Sequence, residues 1–117
     1  MRKFLVLALI AGSAHANTLY QVKANVTEHG QEISFPAVEV QDNGQPVRTQ
    51  ADGCTYIATL NQYIQNTLTI TATMVCSDET TVMPVMILRA ASDSASYELE
   101  DEGKVLWKYS VEVESVQ

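Results

Sequence analysis

Residues 67–75 read Thr-Leu-Thr-Ile-Thr-Ala-Thr-Met-Val, and their alternation decides the fold class. Leu68, Ile70, Ala72 and Met74 fall on one side of an extended chain, and Thr67, Thr69, Thr71 and Thr73 on the other. Threonine suits a solvated sheet face, because its branched Cβ packs well on the pleat. The stretch is therefore a half-buried strand, and its neighbours follow the same period.

Upstream, Tyr20, Val22, Ala24 and Val26 alternate with Gln21, Lys23, Asn25 and Thr27. Glu28-His29-Gly30-Gln31 then reads as a tight hairpin turn in which Gly30 takes a positive φ. A second strand runs from Glu32 to Val40. Pro36 has no N–H to give to a ladder, which puts this strand at an edge or a bulge. Asp42-Asn43-Gly44 is the strongest turn signal in the chain. Downstream, Ser77-Asp78-Glu79 turns the chain into Thr80–Ala90, interrupted by Pro84. Ala91–Ser96 reads as a small-residue loop, Tyr97-Glu98-Leu99 as a short strand and Glu100–Gly103 as a turn. In the last strand, Lys104–Val116, the residues Val105, Trp107, Tyr109, Val111 and Val113 share one parity. That parity predicts a buried face with Trp107 in the core.

The segment Cys54–Asn66 admits two readings. As a strand it puts Cys54, Tyr56, Ala58 and Leu60 on one side; as a helix it spaces Ile57, Leu60 and Ile64. Its Thr, Tyr and Ile content favours the strand. The total is about seven strands, which predicts an all-β fold, a small antiparallel sandwich or partly open barrel. No internal repeat, linker or low-complexity stretch is evident.

Under the strand reading, a Cys54–Cys76 disulfide fixes the register. Paired residue numbers then sum to 130, setting Tyr56 opposite Met74, Ala58 opposite Ala72 and Leu60 opposite Ile70. A one-residue slip would destroy this apolar match. Two cysteines in a small exported chain read as a structural bridge. The Cys-x-x-Cys spacing of redox-active pairs is absent.

Export is read from the opening residues. Met1-Arg2-Lys3 is basic, Phe4–Ala11 is apolar, and Ala14-His15-Ala16 has the A-x-A form of a cleavage site. The apolar run is eight residues, short of the ~20 that a spanning helix needs. Residues 1–16 are expected to be a signal peptide cut between Ala16 and Asn17, leaving 17–117 as one exported domain. No cysteine follows the cut to carry a lipid, and no later run is long enough to span a membrane. The expected compartment is the periplasm or the medium.

Loss of Arg2 and Lys3 leaves five basic residues against 14 acidic ones, a net charge of −9. Nucleic acid and anionic membrane surfaces repel such a chain. A basic protein partner would be attracted, although acidity also serves solubility.

No catalytic, cofactor-binding or metal-binding set stands out. His29 is the one histidine beyond residue 16, too little for a hydrolytic triad or a histidine-rich zinc site. Glu98, Glu100, Asp101 and Glu102 lack the interleaved pattern of a calcium loop and read as a solvated turn. Glu112 and Glu114 complete the polar face of the last strand. Trp107 and Tyr109 suit a sugar-stacking platform less well than a core, given their valine neighbours. The sequon Asn25-Val26-Thr27 matters only in a host that glycosylates its exports.

The expectation is a non-enzymatic exported β-domain that binds another protein, as an accessory module of an envelope assembly. Its contact surface would be a sheet edge such as the Pro36 or Pro84 strand. One alternative is an inhibitor of a basic secreted enzyme such as a lysozyme, although the Ser-Gly-rich signature of such inhibitors is missing. Another is a pilus-type subunit, although the chain ends Ser115-Val116-Gln117 without the usual penultimate tyrosine.

Overall fold

The computed structural model describes residues 18–116. The expected signal peptide and the Ala16–Asn17 cut lie outside them. Ten strands follow in order: β1 (Leu19–Glu28), β2 (Gln31–Ser34), β3 (Val38–Gln41), β4 (Val47–Ala51), β5 (Cys54–Gln62), β6 (Thr67–Cys76), β7 (Glu79–Val82), β8 (Met86–Arg89), β9 (Ser92–Asp101) and β10 (Lys104–Ser115). They form two antiparallel five-stranded sheets. The first has the order β2-β1-β10-β9, with β3 beside β2 along β1; the second has β4-β5-β6-β7, with β8 beside β7 along β6. The arrangement is sandwich-like and not closed into a barrel.

Cys54–Asn66 resolves as the strand β5 to Gln62, and β5 pairs with β6 in the expected register: Cys54 with Cys76, Tyr56 with Met74, Ala58 with Ala72, Leu60 with Ile70. Cys54 and Cys76 are joined. Tyr56, Met74, Ala58, Ala72, Leu60 and Ile70 are all buried, which is why no slip competes.

Ten strands replace the expected seven for two reasons. Pro36 and Pro84 each split one long strand in two, because a proline cannot donate to the ladder. Phe35 and Met83, just before each proline, still donate their N–H groups to Ala24 and Ala72 and turn their side chains into the core. The third addition is β4, a short edge strand. Ala91–Ser96 is also not a loop: β9 begins at Ser92 and pairs with β10 through Ser92–Glu114.

The sequence shows no internal repeat, but the strand order does. Strands β1, β2 and β3 recur 48 residues later as β6, β7 and β8, with equal lengths. The bonds Phe35 N–H to Ala24 and Asp42 N–H to Thr18 recur as Met83 to Ala72 and Ala90 to Asn66. Likewise β4-β5 corresponds to β9-β10, so the first half of the chain maps onto the second and each sheet onto the other. Tracing the registers through β1-β10 and β6-β5 makes Tyr56 the counterpart of Tyr109, Ala58 of Val111 and Leu60 of Val113. These counterparts meet in the core, where the Tyr56 and Tyr109 hydroxyls are 2.5 Å apart.

The copies differ in one hairpin. Ala51 and Cys54 flank the two-residue turn Asp52-Gly53. Their counterparts Leu99 and Trp107 are also paired, but the chain continues through 100–106 between them. The β9-β10 hairpin is therefore five residues longer than its counterpart and overhangs that end of the sandwich.

Candidate functional site

The overhang breaks the expected buried face of β10. Tyr109, Val111 and Val113 are buried, but Val105 is 43% exposed and Trp107 only half-buried. Between Val105 and Trp107 the register shifts: Val105 faces Glu100 whereas Trp107 faces Leu99. Glu100 and Leu99 are consecutive and point to opposite faces, so Val105 and Trp107 do too. Leu106 is the extra residue of a β-bulge, and such a bulge reverses parity beyond it. A pattern of alternate residues could not register this insertion.

Tyr97 and Leu99 pair across to Tyr109 and Trp107 and so lie on the inner face of their sheet. They nevertheless stay 43% and 49% exposed, because the opposite sheet does not reach over the longer hairpin. A cleft of about 490 Å³ results, lined by Tyr97, Leu99, Leu106 and Trp107 on one side and Thr81, Val82 and Pro84 on the other. Glu28 and His29, from the β1-β2 turn, complete it. Val82 is 81% exposed at its lip. The His29 N–H donates to the Leu106 carbonyl (3.2 Å), so this turn is fastened to the bulge.

An aromatic series runs from the core to this cleft. Phe35 stacks on Tyr56 (centroids 5.3 Å apart), Tyr56 meets Tyr109 (6.1 Å), and Trp107 lies 6.2 Å from both Tyr109 and Tyr97. The cleft aromatics are thereby held by packed neighbours. Burial pushes the Tyr56 phenol up to about 12 despite its bond to Tyr109, and burial with the adjacent Tyr56 also raises that of Tyr109.

The symmetry-related seam is bridged by a hydrogen bond. The counterparts of Tyr97 and Pro84 are Thr49 and Pro36, and the Thr49 hydroxyl donates to the Pro36 carbonyl at 3.1 Å. No cation lies within ion-pair distance of Glu28, Glu100 or Glu102 among the described residues, whereas Glu98 has Lys108 at 3.8 Å.

No family model, no characterised protein and no solved structure matches this chain.

Of the other residues singled out in the sequence, Glu112 and Glu114 lie exposed on the outer face of β10. Asn25 is in mid-strand, paired with Ser110 and Ser34. Asp42 reads in sequence as a turn residue but is buried. Its carboxylate accepts the Thr18 N–H and the Gln62 side-chain amide, both at 3.0 Å, tying the start of β1 to the end of β5. Its counterpart is Ala90, so this tie belongs to one half only.

Proposed function

We propose that the mature chain is an exported, non-enzymatic β-domain that binds another protein, as an accessory module of an envelope assembly. The observation that carries the reading is the uncovered inner face of the β9-β10 hairpin. Val82, Tyr97, Leu99 and Leu106 give the cleft an apolar lining, whereas the equivalent seam in the first half of the chain is bridged by the Thr49–Pro36 hydrogen bond. Contiguous exposed apolar surface on a small domain marks an interaction site. Trp107 and Tyr97 are residue types that anchor protein interfaces, since each presents a large rigid area at small entropic cost.

The acidic tip of the same hairpin supports a second reading, inhibition of a basic secreted enzyme. There the partner's charge would steer encounter, and the complex would weaken sharply with salt.

The test is site-specific photo-crosslinking in the exporting cell from Val82 or Leu106, with Arg48 on the opposite edge as control. One protein should crosslink at the cleft positions and not at Arg48. Equal labelling at all three positions, or none at the cleft, contradicts the reading. If the crosslinked protein is a secreted hydrolase that the chain inhibits, the second reading replaces the first. Intact mass of the exported chain tests the export step, which predicts a start at Asn17.

A further inference from the structure

We infer that the partner engages as an extended segment added to the free edge of β9, with apolar side chains entering the cleft and basic ones facing its acidic rim. This rests on the binding reading above and goes further in naming the partner's form and chemistry.

Among the described residues, strand β9 pairs with β10 alone, so one row of its backbone N–H and C=O groups has no strand beside it. At its start, β9 is tied to the end of β8: Asp93 accepts the Arg89 N–H at 2.9 Å, and Arg89 also approaches its carboxylate. Toward its end no such tie exists among the described residues, and the space between Tyr97-Leu99 and Thr81-Val82-Pro84 is the cleft. An incoming strand beside Tyr97–Asp101 would complete the ladder, as edge strands invite. Every second side chain would point to the inner face, among Tyr97, Leu99, Trp107 and Thr81, with Val82 at the lip.

Charge selects the occupant. Glu28 lines the cleft, and Glu100 and Glu102 stand exposed at the end of the β9-β10 hairpin, none with a cation in ion-pair distance among the described residues, so lysine or arginine at the alternate, outward positions meets carboxylates. A second copy of this chain would instead bring β9 against β9 and acidic tip against acidic strand. With a mature net charge of −9, that pairing is opposed.

Trp107 is the chain's single tryptophan and reports on the cleft directly. The experiment titrates the mature protein with a short peptide of alternating lysine and valine bearing a central phenylalanine, following Trp107 emission. Two control peptides replace lysine by glutamate or N-methylate the backbone on the edge that would pair. We expect a saturable blue shift with the first peptide, weaker binding at high salt, and affinity losses of about tenfold or more with either control (~1.4 kcal/mol for each tenfold). Leu99→Asp and Val82→Asp, both at exposed positions, should give the same loss without changing the melting point.

Equal binding of the N-methylated peptide would overturn strand addition, and equal binding of the glutamate peptide would overturn the charge selection. An emission shift that grows with protein concentration alone would make the occupant a second copy and overturn the inference. If a cell protein crosslinks at Val82 while none of the peptides binds, the inference fails and the binding reading stands.

Discussion

The hydroxyls of Tyr56 and Tyr109 occupy equivalent positions in the two halves of the chain and satisfy one another among apolar core neighbours. Removing one hydroxyl strands the other. Tyr109→Phe should therefore cost about 1–3 kcal/mol, the usual penalty for an unpaired buried polar group. The double variant Tyr56→Phe with Tyr109→Phe should cost less than the sum of the two singles, and denaturant unfolding of all four forms measures the coupling. The pair also sets the alkaline limit. In the unfolded chain both phenols ionise near their ordinary value of 10, whereas burial keeps them protonated in the folded state, Tyr56 up to about 12. Stability should begin to fall as pH rises through ~10, with a slope that approaches ~2.7 kcal/mol per pH unit where the unfolded chain has lost both protons and the folded one neither. Urea unfolding between pH 8 and 11.5 checks this. A flat profile would mean that the two rings are not buried as described.

At the scale of elements, the β5-β6 hairpin was legible because nine residues alternate without interruption and a disulfide pins their register. The same bridge encloses a chain separation of 22 residues. Loop-closure entropy gives it up to about 3.4 kcal/mol. Cys54→Ala with Cys76→Ala should lower the denaturant midpoint accordingly, and an unchanged midpoint would contradict that estimate. Other elements were hidden for physical reasons. Strand β4 is short and lies at an edge, where Arg48 and Gln50 face solvent. Residues 91–96 have the small polar character of a loop, yet they extend along β10 because that partner's ladder supplies the bonds that local propensity does not. The bulge at Leu106 inverts parity with no glycine or proline to announce it, and so Trp107 was expected deeper than it lies. The cleft is hidden as well: its residues come from three separate hairpins, and their spacing in sequence gives no sign that they meet.

Across the whole molecule, the fold is two copies of one five-strand unit, although between Leu19–Gln41 and Thr67–Arg89 only Ala24/Ala72 and Pro36/Pro84 are the same residue. What the copies share is burial: Val22 and Ile70, Phe35 and Met83, Val40 and Leu88 fill equivalent places with different shapes. Cores accept such exchanges when volume and pattern are kept, which erases the repeat from the sequence and leaves it in the structure. Where the copies diverge is therefore informative. One has a short, disulfide-pinned hairpin and a hydrogen-bonded seam; the other has a longer hairpin, an aromatic inner face and an open cleft. The central claim is that this extra length serves binding and not folding. Replacing Glu100–Leu106 by Asp-Gly would give β9-β10 the length of β4-β5, and crosslinking from Val82 in the exporting cell would then be compared with the unaltered chain. The shortened protein should accumulate folded, with its disulfide formed, and no longer crosslink the partner captured by the full-length hairpin. An undiminished crosslink from the shortened chain, or its failure to fold, would contradict the central claim.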